Sequence, residues 1–190
     1  MKDMTKRGFI IGLALGAFVL ATCPVQAGKV KPEAELIALL GSAKEKEVIN
    51  AMQEIEKNYP TSAKAQGAIK PFLADTRSPV RRKAARVLGI MNADVSEAEI
   101  KSISELLKSS DKYAIIDGLK ALRGLKAQSA IPEITPLLKN SDKNVIRDAC
   151  RTLAVLGNKS LIPELKPLLE YPDVAVQKDA ADAISILKEK

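Results

Sequence analysis

The sequence lacks histidine and tryptophan, and it holds only two cysteines, three tyrosines and three phenylalanines among 190 residues. Without histidine, the chain cannot form Ser–His or Cys–His nucleophile pairs, most zinc sites, or a Cys-x-x-Cys-His haem attachment site. It also has no glycine-rich phosphate loop. The sequence therefore offers no support for enzyme activity, and we expect no catalytic residue, no metal and no cofactor.

The first 27 residues have the layout of a cleavable secretory signal. Lys2, Lys6 and Arg7 form a basic start, and an uncharged apolar run follows over residues 8–22. Small residues then lead up to a signal peptidase site between Ala27 and Gly28. The sequence thus predicts residues 1–27 as a signal peptide and an exported, periplasmic protein.

Two other interpretations of this segment remain open. Residues 20–23, Leu-Ala-Thr-Cys, approximate a bacterial lipobox, which would make Cys23 a lipidation site and the protein a membrane-anchored lipoprotein. An uncleaved anchor is the second, although a span needs about 20 apolar residues and this run is shorter and holds three glycines. Membrane association is expected only if the chain is lipidated or uncleaved.

The charge balance is mildly basic. The chain has 30 basic and 23 acidic residues, and loss of Lys2, Lys6, Arg7 and Asp3 with the signal would leave 27 and 22. That excess falls short of the dense basic stripe of a nucleic-acid-binding protein. We therefore expect no nucleic-acid partner.

The rest of the chain is built from approximate copies of one unit, seen best at residues 130–156. Ile134 and Leu138 lie on one face of a first helix. Val145 and Leu153 belong to the apolar stripe of a second helix. Between them, Asp142 ends a polar turn and can cap the second helix. The unit is predicted to be a helical hairpin.

The hairpin recurs five times with a nearly constant period. Its last leucine in the first helix falls at successive spacings of 33, 34, 31 and 31 residues, at Leu40, Leu73, Leu107, Leu138 and Leu169. Each second helix carries a small residue at one aligned position, which allows close helix packing: Ala51, Ala84, Gly118, Ala149 and Ala180. The sequence predicts a domain over residues 28–190 with repeats at about 33–59, 62–91, 96–126, 128–157 and 159–188.

Residues 78–89, SPVRRKAARVLG, resemble the second helix of HEAT-like repeats, the short kind also found in phycobilin lyase subunits. The openings Ala-Ile-Pro at 130–132 and Leu-Ile-Pro at 161–163 are similar to the same family. The resemblance covers roughly residues 31–190 and implies an all-α fold, a right-handed α-solenoid of about five HEAT-like helical hairpins. Repeats one and three depart from it, and Ile115 and Ile116 stand where the family usually has a Val-Arg neighbourhood.

Several residue types recur at fixed places in the unit. One aspartate set precedes the second helices and is predicted to cap them: Asp111, Asp142 and Asp173. Another lies one turn into those helices and is predicted to form a ladder of side-chain bonds between neighbouring repeats, rather than an acidic site: Asp117, Asp148 and Asp179. Prolines at one position of the first helices predict that these helices are short and slightly bent: Pro71, Pro136 and Pro167.

Cys150 is the one cysteine that would remain after signal cleavage. It lies next to the small residue of repeat four, and no histidine is present to activate it. We therefore expect a buried thiol that behaves as a small apolar side chain.

Two aligned columns of residues lie on the outward face of the second helices, which lines the concave side in solenoids of this type. The first column is Ile49, Arg82, Ile116, Arg147 and Lys178, and the second column is Gln53, Arg86, Lys120, Arg151 and Asp182. Arginine forks can grip carboxylates there, and Ile116 can supply apolar area. The predicted partner-binding residues are Arg82, Arg86, Ile116, Lys120, Arg147, Arg151 and Lys178. The alternative is a solvated face on which arginine stems cover the edge of the core.

These features predict an exported, non-enzymatic protein-interaction scaffold that presents a basic concave surface to an acidic or amphipathic protein. Two alternatives stay open. One is an accessory or lyase-like HEAT-repeat subunit of an enzyme system, which some proteins of the resembled family are. The other is binding to an anionic membrane or cell-wall polymer through the same basic columns.

Overall fold

The computed structural model describes residues 30–190. The predicted signal peptide, its cleavage site at Ala27 and Gly28, and the alternative lipidation site Cys23 lie outside these residues. The described part of the chain contains ten α-helices and no β-strand. None of its helices is long and apolar enough to cross a membrane.

The helices alternate between short first helices and long second helices, so that each repeat is one hairpin. The first helices are α1 (Glu33–Leu39), α3 (Ala63–Ile69), α5 (Glu97–Ser104), α7 (Ile131–Ile134) and α9 (Ile162–Leu165). The second helices are α2 (Glu45–Asn58), α4 (Ser78–Ile90), α6 (Lys112–Gly124), α8 (Lys143–Leu156) and α10 (Val174–Glu189). Successive second helices pack against each other, and the predicted all-α solenoid is confirmed.

Four of the first helices tighten into a 3₁₀ segment before the turn: Lys70–Ala74, Glu105–Lys108, Thr135–Lys139 and Lys166–Glu170. In three of them the second residue is the recurring proline, whose missing N–H and fixed φ suit a tight turn. The segment that begins at Glu105 tightens in the same way without proline. The short first helices predicted from the prolines are therefore present, but packing within the repeat also produces them.

The core is continuous through all five repeats. Its largest members include Ile55, Leu88, Leu122 and Leu153, which occupy one aligned position of the second helices and are fully buried. The aligned small residues are buried as predicted, and a Cβ on Gly118 would lie 3.1 Å from the Cβ of Leu106. Small residues at this position thus let the two helices of a hairpin approach closely.

The predicted aspartate caps are confirmed. The side chain of Asp111 accepts a hydrogen bond from the backbone N–H of Tyr113 at 2.9 Å, and Asp142 accepts one from Asn144 at 2.8 Å. Asp173 likewise accepts from the N–H of Ala175 at 2.9 Å. Each cap satisfies a donor that the helix itself leaves free, so these carboxylates define where three second helices begin.

Candidate interaction face on the second helices

The structure places both predicted columns along the outward side of successive second helices. In the first column, the side chains of Arg82, Ile116 and Arg147 are half-buried. The second column is exposed at every position, from Gln53 to Asp182. The second column is thus the more exposed of the two, and the basic residues of both columns differ in whether they contact an aspartate.

Arg82 is held by two aspartates of the next repeat. Its Nε and Nη2 donate to Oδ2 of Asp117 at 3.0 and 2.8 Å, and its Nη1 donates to Oδ2 of Asp111 at 2.8 Å. The guanidinium fork therefore joins the N-cap and the second turn of α6 to α4. This arginine links repeats two and three and has few donors left for a partner.

Arg147 and Arg151 form the equivalent contact between repeats four and five. Arg147 Nε donates to Oδ2 of Asp179 at 2.7 Å, and Arg151 Nε donates to Oδ1 at 3.0 Å. Asp179 is only 8% exposed, so its negative charge needs both cations. Between repeats three and four, Arg123 lies 3.8 Å from Asp148. The predicted ladder of aspartates is thus present, and three of the predicted binding arginines are part of it.

A second ladder of ion pairs runs along the turns, and its cations are not among the predicted site residues. Lys112 Nζ lies 2.9 Å from Oδ2 of Asp142, and Lys143 Nζ lies 2.7 Å from Oδ2 of Asp173. Hydrogen bonding to these lysines lowers the pKa of both carboxyls, and the same contacts raise the pKa of both lysines. A lysine directly after the cap aspartate of the preceding repeat was the available signal.

Three of the predicted binding residues are exposed and form no ion pair within residues 30–190. Arg86, Lys120 and Lys178 form no ion pair with any residue of the described range. Arg86 and Lys120 lie in adjacent repeats at the same aligned position. The basic character of this face therefore rests on these cations, while the partly exposed Arg151 shares its charge with Asp179.

The apolar part of the face lies elsewhere than predicted. Ile116 is half-buried against the core and offers a partner little surface. One turn beyond the second column, Ile90, Val155 and Ile186 are 52%, 46% and 45% exposed. We call these three residues the aliphatic column. Their common spacing, four residues after Arg86, Arg151 and Asp182, was visible in the sequence but was not recognised.

Cys150 is fully buried, as predicted, and burial raises the pKa of its thiol to about 12. A thiol in this state is neutral near pH 7 and is a poor nucleophile. Across residues 30–190, no three acidic or cysteine side chains are arranged to hold a metal ion.

Comparison with known protein families matches residues 131–190 to HEAT repeats. No curated protein sequence matches the chain significantly. The matched residues correspond to repeats four and five, whose hairpins follow the family pattern more closely than repeats one and three. This match supports a HEAT-like repeat family for the chain.

Solved structures show the same fold over most of the chain. The complex of CpcE and CpcF of phycocyanin lyase from Nostoc sp. PCC7120 is similar with a TM-score of 0.72 and 24% identity, over 88% of this chain and 69% of that chain. An engineered protein is similar with a TM-score of 0.63 and 26% identity, over 86% of this chain and 49% of that one. A designed armadillo repeat protein in complex with the peptide (KR)4 is similar with a TM-score of 0.62 and 18% identity, over 80% of each chain.

Proposed function

We propose that this protein is an exported, non-enzymatic scaffold whose second-helix face binds an acidic or amphipathic protein segment. The observation that carries the proposal is a set of exposed cations without an ion pair in the described part of the chain, Arg86 and Lys120 in adjacent repeats and Lys178 in repeat five, on a stack of tightly joined helices. A rigid array loses little conformational entropy on binding, because its helices are already ordered. Carboxylates that meet these cations would form charge-assisted hydrogen bonds.

The cations of this face fall into two groups, those that join repeats and those that are unpaired, and this difference supports the proposal. Arg82, Arg147 and Arg151 hold neighbouring repeats together, which keeps the aligned positions in register. The unpaired cations then project from a surface whose spacing the ion pairs fix. A merely solvated basic face would show the same exposure, but it would not require that some cations be held in ion pairs while others are left unpaired.

The similar armadillo structure supports a protein or peptide ligand. That designed protein is in complex with a basic peptide. The face described here is basic instead, so charge complementarity favours a ligand of the opposite sign. The proposal for this chain is therefore an acidic segment.

A lyase-like accessory role is the second candidate, because a phycocyanin lyase complex is among the similar structures. If the protein holds a bilin, the purified protein should absorb visible light or acquire such absorbance when bilin is added. A colourless protein that gains no absorbance with bilin would exclude this role.

Affinity capture from an envelope extract tests the scaffold. We would compare the wild-type bait with an Arg86→Glu, Lys120→Glu, Lys178→Glu variant, which spares the arginines of the ladder. The matched control carries the same charge change on the first-helix side, at the exposed residues Lys64, Lys101 and Lys166. Circular dichroism confirms that all three baits are folded.

We expect one envelope protein to be retained by the wild type and the control and lost by the variant. Equal capture by all three baits would place the binding surface elsewhere on the solenoid. If no bait retains a protein, sedimentation with anionic vesicles and cell-wall polymer at low and high salt tests the other ligand class, since such binding fades as ionic strength rises.

A further inference from the structure

The exposed face of the second helices has two chemically different edges that run side by side. The basic edge is the middle of the second column, with Arg86, Lys120 and Arg151 in repeats two to four, of which Arg151 is paired with Asp179. The other edge is the aliphatic column, Ile90, Val155 and Ile186, of which between 45% and 52% of each residue is exposed. Residues four apart on a helix are neighbours, so the two edges lie one helical turn apart.

The third repeat interrupts the aliphatic column with Gly124. A Cβ at this position would collide with the carbonyl oxygen of Gly89 on the neighbouring helix. An aliphatic side chain is therefore excluded there by packing, and the column has a notch between Ile90 and Val155. The three aliphatic residues lie outside the buried stripes of their helices, so packing of the core does not explain why these positions are aliphatic.

Stacked helices lie about 8–10 Å apart, so a ligand that crosses the stack meets a new repeat at that interval. A helical ligand advances about 10.5 Å in seven residues and presents the same face at each repeat. An extended strand covers a similar distance in about three residues, and its side chains then alternate between opposite sides. A polyproline helix also repeats every three residues, but such ligands are recognised by aromatic-lined grooves, and neither edge contains an aromatic residue.

We infer that the ligand of this face is an amphipathic α-helix with an acidic edge and an aliphatic edge, laid across the second helices. Its carboxylates meet Arg86 and Lys120, and its aliphatic residues, spaced by about seven positions, meet Ile90, Val155 and Ile186. This inference rests on the proposed scaffold function and narrows its ligand to one conformation and one pattern.

Binding of two synthetic peptides, measured by fluorescence anisotropy with purified protein at low salt, tests the inference. The first peptide has three heptads with leucine at the first position, glutamate at the second and sixth, and alanine elsewhere. The second peptide replaces each leucine by alanine, which keeps the charge and the helix propensity. The protein variant carries Ile90→Thr, Val155→Thr and Ile186→Thr, which keep the branched shape. The control is Val174→Thr, at an aliphatic residue that is 74% exposed and lies outside the aliphatic column, at the start of α10.

We expect the leucine peptide to bind the wild type and Val174→Thr about tenfold more tightly than the alanine peptide does, because each leucine gains apolar contact. The triple variant should bind both peptides equally. If the wild type shows no preference, or if the triple variant keeps it, the aliphatic column does not bind ligand and the inference is wrong. Neither of these results affects the scaffold proposal, which stands or falls on the loss of capture in the Arg86, Lys120, Lys178 variant.

Discussion

Repeats two and three join each other differently from repeats four and five, although the fold is the same at both junctions. At the first junction, α4 and α6 touch through their backbones: a Cβ on Gly89 would lie 2.6 Å from the Cα of Ala121. At the second junction, the position of Gly89 is occupied by the buried Ala154, and Arg147 and Arg151 reach across to Asp179. Both junctions therefore carry arginine–aspartate pairs, and the junction of repeats two and three adds a close backbone contact through Gly89.

The helix ends follow the same division. α4 and α6 are followed by residues with positive φ, Asn92 at 47° and Lys126 at 54°. The N–H of the residue after each of them donates to a carbonyl five residues back along the chain. α8 instead ends at Gly157 with φ −85°, and Lys190 donates to the carbonyls of Val155 and Gly157 at 2.6 and 3.0 Å. The chain thus closes the end of α8 with a side chain from the last residue of the next repeat.

Repeats one and two show that the polarity of the ion pair can also vary. There Glu56 accepts from Lys83 at 2.9 Å, whereas the aspartates of later repeats occupy the aligned position of Lys83. A paired charge at this position satisfies the fold in either orientation. Which helix carries the acidic member of each pair restricts which repeats can stack on each other, because exchanging two repeats would place like charges together.

The largest effect should come from a methyl group at the backbone junction. Gly124→Ala is expected to lower the free energy of unfolding by about 2 to 3 kcal/mol, because α4 and α6 must separate. Gly67→Ala is the control, since a Cβ there meets nothing within 4 Å, and it should stabilise the protein by up to about 1 kcal/mol. Urea denaturation measures both, and equal behaviour of the two variants would contradict the close contact.

The side-chain junction should be less sensitive. Asp179→Asn is expected to cost about 1 to 2 kcal/mol, since the partner arginines are partly exposed and can be resolvated. Cys150, which is fully buried beside this junction, should then react faster with an alkylating reagent in the native state. The control is Asp182→Asn at an exposed aspartate of the same helix, and matching labelling rates in the two variants would argue against the ladder.

At the C-terminal ends of α4 and α6, a substitution is expected to stabilise the protein instead of destabilising it. Lys126→Gly is expected to raise the free energy of unfolding by about 0.5 to 1 kcal/mol, because glycine relieves the strain of positive φ and offsets its own greater chain entropy. Asn92→Gly should gain less, since asparagine tolerates this conformation. Thermal unfolding would show the difference, and a lower midpoint for Lys126→Gly would mean that the lysine side chain stabilises this end.

The smallest effect is expected at the end of α8. Lys190→Met keeps the length of the side chain but removes the donors to Val155 and Gly157. The unfolding midpoint should fall by less than Lys126→Gly raises it, since Lys190 is exposed and water can replace its hydrogen bonds. Lys188→Met, at another exposed lysine of α10, supplies the comparison, and an equal fall in both variants would leave the cap without a role.

The sequence by itself determined the repeat unit, because the unit depends on local rules. Aliphatic spacing defined the two helix faces, aspartates marked three second helices, and the period of the leucines revealed five hairpins. The burial of Cys150 and the aspartate ladder were also predicted, from the positions of these residues within the repeat. Each of these features depends on residues that are close in the chain or that repeat at a fixed distance.

Only the tertiary structure decided which cations are free and which hold the stack together. Arg82, Arg86 and Arg147 look alike in the sequence, yet Arg82 and Arg147 are paired with aspartates 29 to 35 positions away and Arg86 is not. Whether a guanidinium reaches a carboxylate depends on the separation of neighbouring helices, and between repeats two and three the close approach of Gly89 to Ala121 limits that separation. The same geometry left Ile116 half-buried and exposed Ile90, Val155 and Ile186, because burial is a property of the assembled stack.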